Sequence, residues 1–397
     1  MDDSVKDKRS ACPICGSDDT RIFLELARMP AQDGVVHATR QAALDAPAGD
    51  IKLAICRQCH YIGNLAYDAE KIQFTEYNYA QHHSQQYRVH VDEVVSTLIN
   101  GHSVRNKTVI DVGCGEGYFL NAVCNAGENR GVGIDPSLNV TNEAPIDNDR
   151  LELIRDFYSD KHSHYKGDLV SCRHVIDELA APREFLQLII NALAPGEDSI
   201  IYLELPNAVR TFEQNLVWNI GYAKRSWFTA TSLGAMLRVC GLSVVNTETL
   251  FGEEYLGIVG RRAPDSDVDS PFPKESADEM IALLDGFAKH FSGEVETWKA
   301  RIAELKKRKE QMVIWGAGMR GINFLHQFGD ERVFPKIVDI NTNRQGSYLP
   351  GSGYFIDKPE ILKSFQPERV LLSNPTYERE IRAQIEEMGV VCELEFL

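Results

Sequence analysis

The chain predicts a doubly wound, mainly parallel α/β sheet, with a small metal-organised domain before it and a second, smaller α/β unit after it. Three observations carry this. Four cysteines stand in two short pairs, Cys12/Cys15 and Cys56/Cys59. From Lys107 onward, apolar runs (TVIDV, GVGID, DLVSC, SIIYLEL) alternate with helical patterns such as YFLNAVCNA. A second strand–glycine turn–helix pattern then opens at MVIWGAG and is followed by KIVDI and RVLLSN. Strands alternating with helices build parallel sheets covered on both faces.

At 397 residues the chain is too long for one core. The punctuation divides it into a zinc-binding domain (1–65), a helical connector (66–100), a central sheet domain (101–265), a linker and helix (266–310) and a C-terminal α/β domain (311–397). Composition, 43% hydrophobic and 25% charged, supports globular folding. The net charge of −16 opposes docking on nucleic acid or an anionic membrane. The opening MDDSVKDKRS has no apolar core of a secretory signal, and no run approaches the roughly 18 apolar residues of a membrane span. Nine cysteines, an odd number, suit a reducing compartment, so the expected location is the cytoplasm. A small molecule is the expected partner, and the oligomeric state stays open.

Cys12, Cys15, Cys56 and Cys59 form two Cys-x-x-Cys knuckles, each aiming two thiolates at one point. Together they satisfy the tetrahedral four-sulfur preference of zinc and leave no open coordination position, so the metal is expected to be structural. About 40 residues separate the knuckles, and a loop or extra strands must fill the gap. Two coincidental thiol pairs are the plain alternative.

The segment VIDVGCGEGYFL is the cofactor signal. A strand carrying Asp111 runs into Gly113, Gly115 and Gly117, and a helix starts behind them. Such glycines let a backbone approach a ligand closely. A second strand ends in Asp135, 18 residues past Gly117, where an acid can accept two ribose hydroxyls. A nicotinamide dinucleotide site is the rival reading, though Asp111 is unusual there and Glu116 would crowd a pyrophosphate.

Here the sequence resembles a class I S-adenosylmethionine methyltransferase with its Rossmann-like sheet. The resemblance implies that the glycine loop with Asp111 holds the methionine half of S-adenosylmethionine, that Asp135 holds the ribose, and that Asp156-Phe157 brackets the adenine. The order of parts is similar to that of the sugar-nucleotide C-methyltransferases. The matching pieces include Tyr77-Asn78-Tyr79, Arg173-His174-Val175, Leu203-Glu204-Leu205-Pro206, Ser226-Trp227-Phe228-Thr229 and Trp315 to Gly321. That family methylates C3 of a deoxy-4-keto sugar carried on a nucleoside diphosphate. The resemblance covers Tyr77 and Tyr79, and with them Arg225 and Arg320, as cations for a phosphate or carboxylate, are the expected substrate-binding residues.

The sequence departs from the family where protons move. The family's Tyr-x-Glu-His-like block reads Tyr222-Ala223-Lys224 here, and Glu178 stands where a second histidine is expected. Tyr222, Lys224 and Glu178 are therefore the expected catalytic residues, with Lys224 acting as a base if desolvated. Lys224 and Arg225 as a solvated loop pair, and Tyr222 as a packing residue, are the alternatives. The departures also leave open O- or N-methylation of another small molecule, or a homologue that only binds cofactor. The second loop, Gly316 to Gly321 with Asp339 ending the next strand, suggests either an anion site using Arg320 or close strand–helix packing.

Overall fold

The computed structural model describes residues 11–76, 80–138, 149–263 and 271–397. Part of the expected linker, and Tyr77 and Tyr79, lie outside the described residues.

The N-terminal unit pairs β1 (Thr20–Pro30) antiparallel with β2 (Ala48–Cys56), joined through the short α1 (Arg40–Leu44). These elements fill the gap between the two knuckles. Strand β3 (Ile62–Asn64) adds to β2 and brings the second knuckle over the first. Helix α2 (Gln85–Ser96) follows, with Ser84 as its cap: the hydroxyl accepts the Tyr87 N–H at 3.2 Å.

The central unit runs β4 (Thr108–Val112), α3 (Tyr118–Gly127), β5 (Arg130–Ile134), β6 (Leu151–Ile154), β7 (Leu169–Arg173), α4 (Pro182–Ile190), β8 (Ile200–Pro206) and α5 (Ala208–Glu213). It continues with β9 (Ser226–Trp227), α6 (Ala230–Val239), β10 (Leu242–Leu250) and β11 (Tyr255–Arg262). The sheet order is β10-β11-β8-β7-β4-β5-β6. Strands β6, β5, β4, β7 and β8 are parallel; β11 is antiparallel to its neighbours β8 and β10, so β10 runs in the direction of the parallel strands. Strands β4, β7 and β8 are apolar because both faces are covered. Helix α4 starts on Pro182, whose missing N–H costs nothing at that position.

Strand β9 does not join that sheet. It pairs with β3 instead, Ile62 opposite Trp227 and Gly63 opposite Ser226, so the N-terminal sheet is completed by residues of the central unit. Nothing in the local pattern of Ser226-Trp227 announces this.

Helix α7 (Asp278–Arg308) buries Leu284, Phe287, Phe291, Trp298, Ile302 and Leu305, a stripe spaced by threes, fours and sevens. Its basic end is exposed, and Lys306 pairs there with Asp330 at 2.7 Å. The C-terminal unit has β12 (Val313–Trp315), α8 (Met319–Phe328), β13 (Lys336–Val338), β14 (Ile356–Asp357), α9 (Leu362–Phe365), β15 (Arg369–Leu372), α10 (Glu378–Glu387) and β16 (Glu393–Phe396). Its sheet, β14-β13-β12-β15-β16, is parallel throughout.

One apolar cluster joins Ile51, Leu53 and Ile62 of the N-terminal sheet to Phe212 and Trp218, to the α7 stripe, and to Phe324 and Phe334 of the C-terminal unit. The three units are thus packed on one another and not strung on linkers. Among the described residues, no helix is long and apolar enough to cross a membrane.

Candidate active site

The central sheet reverses its winding between β4 and β7, and ligands bind outside the carboxyl ends of strands at such a switch point. A cavity of about 720 Å³ opens there. Both glycine loops line it, through Gly113, Gly115 and Glu116 on one side and Gly316, Gly318 and Arg320 on the other.

The first loop has the backbone that its glycines imply. Gly113, Gly115 and Gly117 have φ of +76°, +54° and +82°, a left-handed region that favours glycine. Asp135 anchors the loop: its Oδ2 accepts the Gly115 N–H at 2.9 Å, and its Oδ1 accepts Ser137 N–H at 2.7 Å and Ser137 Oγ–H at 2.6 Å. Asp111 is buried beneath, accepting the Ser171 hydroxyl at 2.7 Å, and burial pushes its carboxyl up to about 6. Asp111 and Asp135 both line the cavity. Asp156 and Phe157 are not among its lining residues. Asp156 is engaged by Lys161 and by His162, while Phe157 is exposed, and the adjacent Arg155 faces the cavity instead.

The opposite wall gathers Arg210, Arg320 and Lys224 around the carboxylates of Glu254, Asp177 and Glu178. Glu254 receives Arg320 Nη2 at 2.6 Å, Arg210 Nη1, and the Thr376 hydroxyl at 3.0 Å. Burial opposes its charge, but Arg320 and Arg210 hold its carboxyl below the usual range. Two guanidinium groups share this one carboxylate, and Arg320 Nη1 is buried without a hydrogen-bond partner among the described residues. Lys224, Glu178 and Asp177 line the same cavity. Asp177 is 2% exposed, and its Oδ1 has no hydrogen-bond partner among the described residues. Burial raises its pKa, against the pull of Lys224 and His174.

Two expected site residues are placed elsewhere. Tyr222 is fully buried off the cavity: its ring stacks on Tyr67 at 5.7 Å, and its hydroxyl accepts the Asp68 N–H at 2.8 Å. Arg225 is buried between units, where its guanidinium donates to the Asn64 carbonyl and its backbone N–H to the Asp177 carbonyl at 2.8 Å. Both corrections have one cause. The β3–β9 pairing pulls this segment into the N-terminal sheet and leaves Lys224 alone facing the cavity.

Beneath the cavity, Glu204 is fully buried. Its Oε1 accepts Arg173 Nη2 at 2.7 Å and is 3.0 Å from His174 Nε2 and 3.2 Å from His90 Nε2; Oε2 accepts the Tyr202 hydroxyl at 2.7 Å. Sequence reasoning did not single out Glu204, Asp177, Arg210 or Glu254. One signal was there to be read: a carboxylate in the middle of the apolar strand IIYLELP must be paired.

The four sulfurs converge as expected. Cys12 and Cys59 Sγ are 3.6 Å apart, Cys15 and Cys56 Sγ 3.5 Å, and all four lie within 4.8 Å of one another. Zn–S bonds of about 2.3 Å arranged tetrahedrally need sulfurs about 3.8 Å apart, so the cluster fits a zinc site. The Cys12 thiol is pushed up to about 12, first by its hydrogen bond with Cys56. A bound cation displaces such protons.

Comparison with known proteins gives two family matches. A family model described as "Methyltransferase domain" matches residues 82–247, and one described as "C-methyltransferase C-terminal domain" matches residues 258–391. No curated protein matches the chain. Among solved structures, an O-methyltransferase family protein from Burkholderia thailandensis is 18% identical with a TM-score of 0.37, over 44% of this chain and 56% of its own. The chain thus spans little more than half the length of that relative. The 1,6-didemethyltoxoflavin-N1-methyltransferase of Burkholderia thailandensis, solved with S-adenosylhomocysteine, is 16% identical over 45% of this chain and 82% of its own, with a TM-score of 0.36. Magnesium protoporphyrin IX methyltransferase from Synechocystis PCC 6803, also with S-adenosylhomocysteine, is 16% identical over 45% and 84%, with a TM-score of 0.36. The sheet order agrees with a class I Rossmann-like methyltransferase fold. The chain thus carries a methyltransferase domain over residues 82–247 and a C-methyltransferase C-terminal domain over residues 258–391, and residues of both matched segments line the cavity.

Proposed function

We propose that the enzyme methylates carbon, at C3 of a deoxy-4-keto sugar carried on a nucleoside diphosphate. The observation that carries this reading is the polarity of the cavity. Acids Asp111, Glu116 and Asp135 gather at the first glycine loop, while Arg210, Lys224 and Arg320 stand on the wall supported by the C-terminal unit. A cationic cofactor suits the first side and an anionic acceptor the second.

The residues present fit S-adenosylmethionine. The space on the Cβ side of Gly115 is open, and Asp135 is already oriented by three donated hydrogen bonds. Bound there, the cofactor supplies a methyl group activated on sulfonium sulfur. Asp135 would hold the ribose, and Asp111 and the loop backbone the methionine half, while Asp156-Phe157, which lie outside the cavity lining, stay assigned to the adenine by resemblance alone. Arg320 and Arg210 would hold the diphosphate, each already oriented by Glu254. The 4-keto group acidifies the C3 proton, and Lys224 is placed as the cation for the enolate oxygen that forms. Glu178 lies on the same wall. Tyr77 and Tyr79 stay assigned to the acceptor by resemblance.

O- or N-methylation is the second reading, favoured by Ala223 and Lys224 standing where the family's Glu and His are expected. Mass spectrometry of the enzyme with S-adenosylmethionine and a panel of nucleoside-diphosphate 4-keto-deoxy sugars decides between them. A one-methyl gain at carbon by fragmentation supports the proposal. Gain at oxygen or nitrogen, or no gain on any sugar, overturns it.

A pH dependence follows from Asp111. Its carboxyl, raised to about 6 by burial, is ionised at neutral pH and protonated below. An ionised Asp111 attracts the cationic cofactor, so affinity for S-adenosylmethionine falls as pH drops through about 6, by up to roughly tenfold per unit. Calorimetry at several pH values checks this, with Asp111→Asn flattening the profile; an equally steep profile in that variant rejects the assignment.

A further inference from the structure

The family's Glu-His block is missing at Ala223-Lys224, but the fold assembles a Glu–His pair from other parts of the chain. His174 follows β7 and lines the cavity. Glu204 sits on the neighbouring β8 and touches His174 twice. The Glu204 carbonyl accepts the His174 backbone N–H at 2.8 Å, and the Glu204 carboxylate lies 3.0 Å from His174 Nε2.

We propose that His174 is the proton acceptor of methyl transfer, its Nδ1 taking the proton from the acceptor while Glu204 holds Nε2–H. The proposal rests on the acceptor reading above for the identity of the proton, not for the geometry of the pair.

Three features of the pair support it. First, the tautomer is determined. Burial opposes the charge of Glu204, but Arg173 and the hydrogen bonds from His174 and His90 hold its carboxyl well below the usual range. An ionised carboxylate only accepts, so Nε2 carries a hydrogen, and in the neutral ring the lone pair is on Nδ1. No hydrogen bond to Nδ1 forms among the described residues. Second, the ring is clamped. It meets the Tyr255 ring edge-on at 4.5 Å, and His90 and Arg173 fix Glu204 from α2 and β7. Third, His174 has φ +54°, a conformation that costs a non-glycine residue energy and persists where the surroundings enforce it. The turn this creates is closed by Glu204.

Lys224 has a different environment. It acts on two carboxylates, Asp177 and Glu254, and its charge favours the ionised form of both. It is therefore placed to hold anions, and His174 to take protons. In the step itself the C–H bond of the acceptor breaks and its proton goes to Nδ1. The electron pair stays on carbon and forms the bond to methyl, and the old S–CH₃ pair remains on sulfur. Glu204 balances the imidazolium that results.

The test has two arms. With ¹⁵N-histidine-labelled wild-type enzyme, the His174 signals, assigned by their loss in His174→Asn, are expected to show the Nε2–H tautomer in the absence of substrate. An Nδ1–H tautomer overturns the proposal. Asparagine tolerates positive φ, so His174→Asn preserves the turn. That variant is expected to bind S-adenosylhomocysteine like the wild type and to lose roughly 10²–10⁴-fold in single-turnover methyl transfer. Unaltered turnover overturns the proposal. If the wild type methylates no sugar of the panel, the acceptor reading fails by itself, and the tautomer still decides the role of His174.

Discussion

Removal of zinc by a strong chelator, or Cys56→Ser, is expected to lower the thermal unfolding midpoint by on the order of 10 °C and to impair acceptor binding more than cofactor binding. Structural zinc supplies roughly 10–16 kcal/mol of apparent binding free energy in isolated fingers, which are unfolded without it. The share lost here is smaller, because Ile51, Leu53, Ile55 and Ile62 are buried in a core that extends into the C-terminal unit. The metal nevertheless joins the Cys12 and Cys59 ends of a sheet whose last strand is β9. Lys224 lies two residues before β9, and Tyr61, two residues after Cys59, hydrogen-bonds the Ser226 hydroxyl at 2.7 Å. Loss of the metal therefore displaces the wall that carries Lys224 first. Metal analysis should return one zinc per chain. A metal-free enzyme with an unchanged unfolding midpoint would exclude a structural role.

Gly113→Ala is expected to weaken S-adenosylmethionine roughly 30- to several-thousand-fold. Two costs add. A left-handed alanine costs about 1–2 kcal/mol, and forcing a methyl into a packed site typically costs about 1–3 kcal/mol more. The methyl here would lie 2.2 Å from Val175 Cγ2, and Val175 itself lines the cavity, so its yielding reshapes the site. The loop escapes by leaving its shape, and cofactor binding must restore it. Gly115→Ala separates the contributions. Its Cβ meets nothing within 4 Å, so the protein stays well packed while the methyl occupies space on the ligand side. Calorimetry with cofactor and thermal unfolding of both variants measure the two quantities. A wild-type affinity in both would remove this loop from the cofactor site.

Several features were legible in the residues alone because each is short-ranged. A Cys-x-x-Cys knuckle, a strand–glycine–helix turn and an alternation of apolar runs are each complete within a few to a dozen residues. Their chemistry survives whatever packs around them. The zinc cluster, the sheet class and the convergence of Asp111, Gly113, Gly115 and Asp135 belong to this group.

The acid–base groups belong to another. Tyr222 and Arg225 read as cavity residues until β9 joined β3 and buried them, and a two-residue strand carries no periodicity to reveal that pairing. Glu204 with His174, and Glu254 between Arg210 and Arg320, are pairs separated by 30 to 66 residues or more. The sequence alone determined which glycine loop takes the left-handed backbone and which four cysteines come together, since those are properties of local backbone and spacing. Only the tertiary structure decided which carboxylate, imidazole and guanidinium face the same cavity. The worth of a buried charge depends on its partners, and those partners are brought together by long-range packing.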